Sequence, residues 1–331
     1  MGAGASYPHE GGVTHRSLLY RRLTKTDNID RAEWLEHRRA GIGGSDAAAI
    51  VGLNPYSSPL RVWADKMGIA PETETTEAMR QGTDFEGYVA KRFMEETGMK
   101  VRRENSILQS IGHPFMLANV DRMVVGERAG LECKTTGAFN KSDWESGEVP
   151  NTYYCQCQHY MAVTGYAKWY LAVLVFQRGF YWFEVPRNDD DIAALTKAET
   201  QFWNDYVVTG ERPDPSGADC DAEVIRAMYA DSDVTGEILL TGIDNDLDRL
   251  AEIDALSKSL KSEGDAIKQR IQLQMGDAAI ATTPKYTVRW PQVSSTRIDT
   301  TRIKKEAPDL YQRFAKTSTS RRFTYKKEET A

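Results

Sequence analysis

Apolar positions along this chain recur with two different periods, and the changes between them mark out the elements. Alternation of apolar and polar residues predicts a strand from Phe115, a polar turn over Gly126–Gly130, and a second strand, Ala129–Thr136. Lys100–Gln109 reads as an earlier strand. Lys168–Phe176 and Gly179–Pro186 read as two aromatic-rich strands joined by a turn at Gln177–Gly179. Between them the period changes to that of helices. One helix is expected from Asp27, capped by Asp27 or Asn28 and stopping at Gly41–Gly44, and a second opens at Ser45-Asp46 and runs through Ala47–Val51. Leu60–Met67 forms a short helix closed by Gly68. Phe85, Val89 and Phe93 form the stripe of a long helix opening at Thr83, and Pro150–Val163 and Asp189–Val208 complete the set. Helices before, within and after a run of strands give an α/β core with a mixed sheet covered by helices.

Beyond Pro215 the pattern changes. Leu247, Leu250, Ile253, Leu256, Leu260, Ile267 and Ile271 predict a long amphipathic helix over Thr241–Met275. A strand at Tyr286–Trp290, a helix over Thr300–Phe314 and a strand at Arg321–Lys327 follow. The expected organisation is a flexible arm over residues 1–25, a main domain over 26–215 and an extension over 216–331. From Lys285 onward 12 Lys and Arg face 5 Asp and Glu. Interleaved with Trp290, Tyr311, Phe314, Phe323 and Tyr325, these bases suit a nucleic-acid contact or a charged tail packed back on its domain.

The candidate chemistry lies on the strand Ala129–Thr136. Alternation sends Glu132 and Lys134 to one face and Leu131 and Cys133 to the other. Glu-x-Lys on a strand is common as a solvated charge pair. Here Asp121 ends the apolar part of the preceding strand, and pairing across the turn brings its carboxylate toward Glu132. Two carboxylates sharing a site repel, and an all-oxygen site suits Mg²⁺ or Mn²⁺. A lysine one pleat along then orients or deprotonates an attacking water, an arrangement suited to phosphodiester hydrolysis. Thr83-x-x-Glu86 carries two readings, a capping box and a third acid near the metal. On the Pro150–Val163 helix, Tyr153, Gln156 and Tyr160 share a face.

The overall charge of −6 and an isoelectric point of about 5.6 exclude a protein coated for nonspecific DNA binding, so a DNA partner needs a local basic channel. Four cysteines, Cys133, Cys155, Cys157 and Cys220, make neither a disulfide framework nor a CxxC zinc pattern. Met1–Tyr20 lacks the apolar centre of a signal peptide, and no apolar run reaches about eighteen residues, which leads to the expectation of a soluble, cytoplasmic protein with no membrane partner.

Asp121, ten intervening residues and Glu132-x-Lys134 resemble the PD-(D/E)xK nuclease signature, with Val120 where that superfamily often has proline. Trp34–Ala48 with its Gly-Ile-Gly-Gly-Ser-Asp, Gly82–Glu86 and Gln156-Cys-Gln-His-Tyr-Met occur around it in the order found in the lambda-type phage exonucleases, the YqaJ-like viral recombinase family. The resemblance covers about residues 30–210. It implies a restriction-endonuclease-like core and a Mg²⁺-dependent 5′-to-3′ exonuclease acting on the ends of linear double-stranded DNA. Asp121 and Glu132 would hold the metals with the Cys133 backbone carbonyl and Glu86, and Lys134 would position water. Gln156 would sit beside the centre, with Tyr153 in support. Glycines running into a helix can cradle a phosphate, and the resemblance assigns the DNA 5′-phosphate to Arg38 and Ser45. It further implies a phage or prophage protein in a bacterial host, a ring-shaped trimer and a single-strand annealing partner. Two rivals stay open: an endonuclease or a 3′-to-5′ enzyme of the same fold, and a noncatalytic DNA-binding or strand-annealing protein.

Overall fold

The polypeptide changes sheets at two points, and those two breaks create the cleft in which the acids lie. The computed structural model describes residues 19–27, 29–71, 75–137, 144–145, 147–230, 236–317 and 321–327. The chain forms two units, Met1–Asp231 and Ser232–Ala331.

In the first unit, β1 (Tyr20–Lys25), β3 (Ser106–Ser110) and β4 (Leu117–Asn119) make an antiparallel three-stranded sheet. A five-stranded sheet has the order β2 (Val101–Arg103), β5 (Arg122–Val124), β6 (Ala129–Thr136), β7 (Lys168–Val175), β8 (Gly179–Pro186). All its neighbours are antiparallel except β6 and β7. A parallel pair needs a crossover, and helix α5 (Asn151–Thr164) supplies it. Helix α4 (Glu77–Thr97) covers the other face, so the architecture is mixed α/β with a mixed central sheet flanked by helices.

Two expected strands are therefore broken. Lys100–Gln109 divides into β2 and β3 at Glu104-Asn105, and the strand from Phe115 divides into β4 and β5 at Val120-Asp121. The first break is set by Glu104, buried and drawn to Arg22 by two hydrogen bonds of 2.8 and 2.9 Å, with Arg102 at 3.2 Å. The same pair explains why Tyr20–Lys25, expected within an N-terminal arm, forms β1 against β3. The remainder of that expected arm, residues 1–18, lies outside the described residues, as do parts of the expected loops at Ile69–Thr76 and Gly137–Glu148.

Alternation along β6 holds as predicted. Leu131 and Ala129 pack with Val89, Ala90 and Phe93 of α4, while Gly130 and Glu132 face α5. Gly130 is required there, because a Cβ would come within 2.1 Å of Cζ2 of Trp169, whose ring packs against Tyr160 at 5.2 Å. Helix α5 is buried on nearly all sides, including Gln156 and Gln158. His159 on α5 meets Glu199 of α6 (Asp189–Phe202) at 2.8 Å and the Leu117 carbonyl at 2.8 Å. Helix α6 continues as a π-helical stretch, Trp203–Val208, and α7 follows at Asp219–Met228.

Helix starts are shifted from expectation. Asp30, not Asp27 or Asn28, caps α1 (Arg31–Arg39), accepting from the Glu33 N–H at 2.9 Å; Asn28 is outside the described residues. Helix α2 (Gly44–Ile50) has Gly43 at its cap, so Ser45 is not the capping residue. Ser58 caps α3 (Pro59–Lys66). Thr76 caps α4, which places Thr83 and Glu86 inside the helix. Thr83 donates to the Met79 carbonyl one turn back, and the capping-box reading of Glu86 falls.

The second unit contains α8 (Asp244–Met275), a hairpin of β9 (Ile280–Thr282) and β10 (Thr287–Arg289), and two short helices, α9 (Thr300–Glu306) and α10 (Pro308–Phe314). The single helix expected over Thr300–Phe314 breaks before Pro308, which cannot donate to a continuing ladder. Arg321–Lys327 is not a strand; Tyr325 donates to Asp254 and Lys327 binds Asp248 at 2.8 Å, so part of the basic tail packs on α8. Ile253, Leu256, Leu260, Ile267 and Ile271 of α8 are exposed. Among the described residues no helix is long and apolar enough to cross a membrane.

Candidate active site at the sheet switch

Asp121 occupies the two-residue step between β4 and β5, where the chain leaves one sheet for the other. Strand β5 pairs with β6 only through Arg122↔Leu131 and Met123↔Gly130. Past Leu131 the β5 side of β6 has no strand beside it, and the Asp121 Oδ2 takes the free N–H of Cys133 at 2.7 Å. Within a strand the N–H and C=O of one residue point to the same side, so the Cys133 carbonyl lies on the Asp121 edge. Burial first, and then the charges of Glu132 and Glu86, push the Asp121 carboxyl well above its ordinary value of 3.8. An acid in this position binds its proton tightly unless a cation replaces it.

Glu132 is 4% exposed. Its Oε1 accepts from Lys134 Nζ at 2.7 Å and from Gln156 Nε2 at 2.8 Å, while its Oε2 is buried with no hydrogen-bond partner. Lys134 also lies over the Tyr153 ring at 5.1 Å, and that ring stacks on Trp144 at 5.6 Å. Burial works against the lysine's charge, but Glu132 outweighs it and the ammonium is held above its usual value.

The Gln156 amide nitrogen makes two hydrogen bonds. It also donates to Tyr160 Oη at 2.8 Å, and Tyr160 donates onward to the Asn119 carbonyl at 2.9 Å. The chain Glu132–Gln156–Tyr160–Asn119 thus ties the acid to the end of β4. Tyr160 was not singled out as a site residue; its i+4 spacing from Gln156 on a helix is the signal that points to it. Arg122, also missed, binds Glu86 and donates to the Asp121 carbonyl oxygen at 2.7 Å. Glu86 is thus near enough to act on Asp121, with its own Oε1 engaged by Arg122. Asp121, Glu86 and Arg122 line a cleft of about 340 Å³ between the two sheets, with Trp34 and Arg103 on its walls.

Arg38 and Ser45 meet on the α1–α2 side of the unit. Arg38 Nη2 donates to Ser45 Oγ at 3.2 Å and lies 5.0 Å over the Trp34 ring. Arg38 also reaches Asp46 Oδ1 at 3.5 Å. Sequence reasoning passed over Asp46 and Lys66, which contact each other across twenty residues and leave no local signal.

Among the described residues no three His, Cys, Asp or Glu side chains already form a cation cage. The orphaned Glu132 Oε2 and the Asp121 carboxylate crowded by Glu132 and Glu86 are nevertheless groups that a hard cation would satisfy.

The YqaJ-like viral recombinase domain matches residues 33–167. A Bacillus subtilis (strain 168) relative bearing the name Uncharacterized protein YqaJ is 41% identical over 308 residues, which span 92% of this chain and 97% of that protein. Similar solved structures include an alkaline exonuclease, LHK-Exo, from Laribacter hongkongensis, with a TM-score of 0.46 at 18% identity, covering 60% of this chain and 97% of that one. A phage-related exonuclease from Haemophilus somnus 129PT gives a TM-score of 0.42 at 12% identity, covering 51% of this chain and 96% of its own. With this extent of identity to a full-length relative, the chain belongs to the YqaJ-like viral recombinase family.

Proposed function

We propose that this protein is a Mg²⁺-dependent deoxyribonuclease with a PD-(D/E)xK core, a 5′-to-3′ exonuclease that consumes linear double-stranded DNA and exposes single strands for phage-type recombination. The observation that carries the reading is the half-buried Asp121 beside the buried Glu132, with Lys134 bonded to Glu132. Binding DNA alone would not need these carboxylates, which repel phosphate.

Asp121 and Glu132 would hold Mg²⁺, or Mn²⁺ in its place, with the Cys133 carbonyl on the same edge and Glu86 as a further acid once released from Arg122. A metal there supplies polarisation of the scissile phosphate and a more acidic water. Lys134, kept protonated by Glu132, orients the attacking water and offers its charge to the oxyanion that develops. Gln156 fixes the Glu132 carboxylate, and Tyr153 confines the lysine from the opposite side. Arg38 and Ser45 supply a guanidinium and a hydroxyl for a terminal 5′-phosphate, which biases cutting toward ends. A trimeric ring and an annealing partner accompany this reading through the family and are proposed with it.

The test compares three duplexes in the presence of Mg²⁺: linear with 5′-phosphate, linear with 5′-hydroxyl, and covalently closed circular. The reading expects fastest loss of the phosphorylated duplex and survival of the circle. Equal cutting of the circle would replace it with an endonuclease of the same fold. DNA binding without cleavage under any divalent metal would favour a strand-annealing role.

A further inference from the structure

Lys66 and Asp46 form a buried ion pair directly behind Arg38. Lys66 has no exposed side-chain surface, and its Nζ donates to Asp46 Oδ2 at 2.6 Å and to the Arg38 carbonyl oxygen at 3.1 Å. That carbonyl belongs to the last turn of α1, where helix carbonyls lack intrahelical partners. Asp46 Oδ2 accepts in addition from the Gly43 N–H at 3.0 Å, and Oδ1 faces Arg38 Nη2 at 3.5 Å. One ammonium and one carboxylate therefore tie together the end of α1, the entry to α2 and the end of α3.

The charges matter as well as the geometry. Asp46 is two residues' chemistry away from being a liability: an uncompensated carboxylate beside Arg38 would repel a phosphate. Lys66 neutralises it, and the Arg38 charge remains available. Burial alone would raise the Asp46 carboxyl, yet the charges of Lys66 and Arg38 and the hydrogen bonds from Lys66 and Gly43 bring it down to about 2. The Asp46 carboxylate is thus held in its charged form.

We infer that Asp46 and Lys66 are positioning residues for DNA-end recognition, holding the Arg38 guanidinium against Ser45 and cancelling the Asp46 carboxylate, which would otherwise oppose a terminal phosphate. This rests on the phosphate-binding reading of Arg38. A purely structural pair has a different signature, because a buried ion pair exchanged for neutral groups often costs little and would affect phosphorylated and hydroxyl ends alike.

The experiment measures steady-state kcat and KM on linear duplexes with 5′-phosphate and 5′-hydroxyl ends, with thermal melting as the folding control, for Arg38→Ala, Asp46→Asn, Lys66→Met and the Asp46→Asn/Lys66→Met double variant. Lys66→Met leaves a bare carboxylate and is expected to raise KM for the phosphorylated duplex by about tenfold or more with kcat little changed. The double variant removes that carboxylate and is expected to recover only to the level of Asp46→Asn alone, since the positioning contacts stay lost. Asp46→Asn, nearly isosteric, keeps the inference testable if Lys66→Met does not fold; it should lower the phosphate-over-hydroxyl preference several-fold. Loss of the preference in Arg38→Ala but not in Asp46→Asn overturns the positioning role. An unchanged preference in Arg38→Ala overturns the phosphate pocket itself, and the inference with it.

Discussion

Gly44 lies directly against Tyr160: a Cβ at position 44 would stand 2.7 Å from Tyr160 Cε1 and 2.9 Å from Gln156 Cγ. The start of α2, which carries Ser45 and Asp46, is thereby seated on Gln156, which holds Glu132, and on Tyr160, which Gln156 also bonds. The residues proposed for end recognition and for hydrolysis share a wall. Gly44→Ala must displace either the tyrosine and glutamine or the helix, at a cost of about 1–3 kcal/mol in stability. We expect a well-folded variant with a small drop in melting temperature and a much larger loss of nuclease activity. Equal activity at reduced stability would separate the two parts.

Gln156→Leu retains volume and removes the donor to Glu132. A preorganised donor at a reacting centre is worth about 10²–10³-fold in kcat, and an indirect one less. The variant should lose kcat with little change in KM, while Tyr160→Phe, which leaves the Gln156–Glu132 bond in place, should lose less. A KM effect in Gln156→Leu without a kcat effect would move Gln156 into substrate binding.

The elevated Asp121 carboxyl gives a signed pH dependence. Its folded value lies well above the ordinary 3.8, so the folded protein binds this proton more tightly than the unfolded chain does. The contribution to stability is greatest below about pH 3.8 and declines as pH rises through the folded value. Mg²⁺ stabilises the ionised form, so its addition should raise the melting temperature more at pH 8 than at pH 5, and Asp121→Asn should abolish that difference. Identical shifts at both pH values would contradict a cation at Asp121.

His159 and Glu199 are both fully buried; burial works against the imidazolium, but Glu199, the Leu117 carbonyl and Asp46 together hold the imidazole above its ordinary value. His159→Ala leaves a carboxylate in the core and should cost about 3–5 kcal/mol. The expected readout is a large fall in melting temperature at unchanged kcat per folded molecule.

Much of this was readable in advance wherever it depended on local period. The two-residue alternation of β6 puts Glu132 and Lys134 together on one face, and it does so in the structure. The stripe of Val89 and Phe93 marks the covering helix. What escaped depends on contacts distant in sequence. Glu104 meets Arg22 across 82 residues, and that pairing both breaks a strand and makes β1. Asp121 was expected at the end of one hairpin strand; it stands at a change of sheets that no periodicity announces. Thr83-x-x-Glu86 read both as a capping box and as a third acid near the metal, and the first reading fails because Thr76 starts the helix seven residues earlier. The basic tail read equally as a nucleic-acid contact or as packing, and Lys327 and Tyr325 are spent on α8 acids.

The central claim is that Asp121, Glu132 and Lys134 hydrolyse DNA. The most direct measurement is release of nucleotides from a 5′-phosphorylated linear duplex in Mg²⁺ by the unmodified protein and by Lys134→Ala, with DNA binding measured in parallel. The account predicts rapid release by the unmodified protein and a loss of about 10²-fold or more in kcat for Lys134→Ala, with binding retained. Degradation by Lys134→Ala at the unmodified rate, or binding without degradation by both proteins, would contradict it.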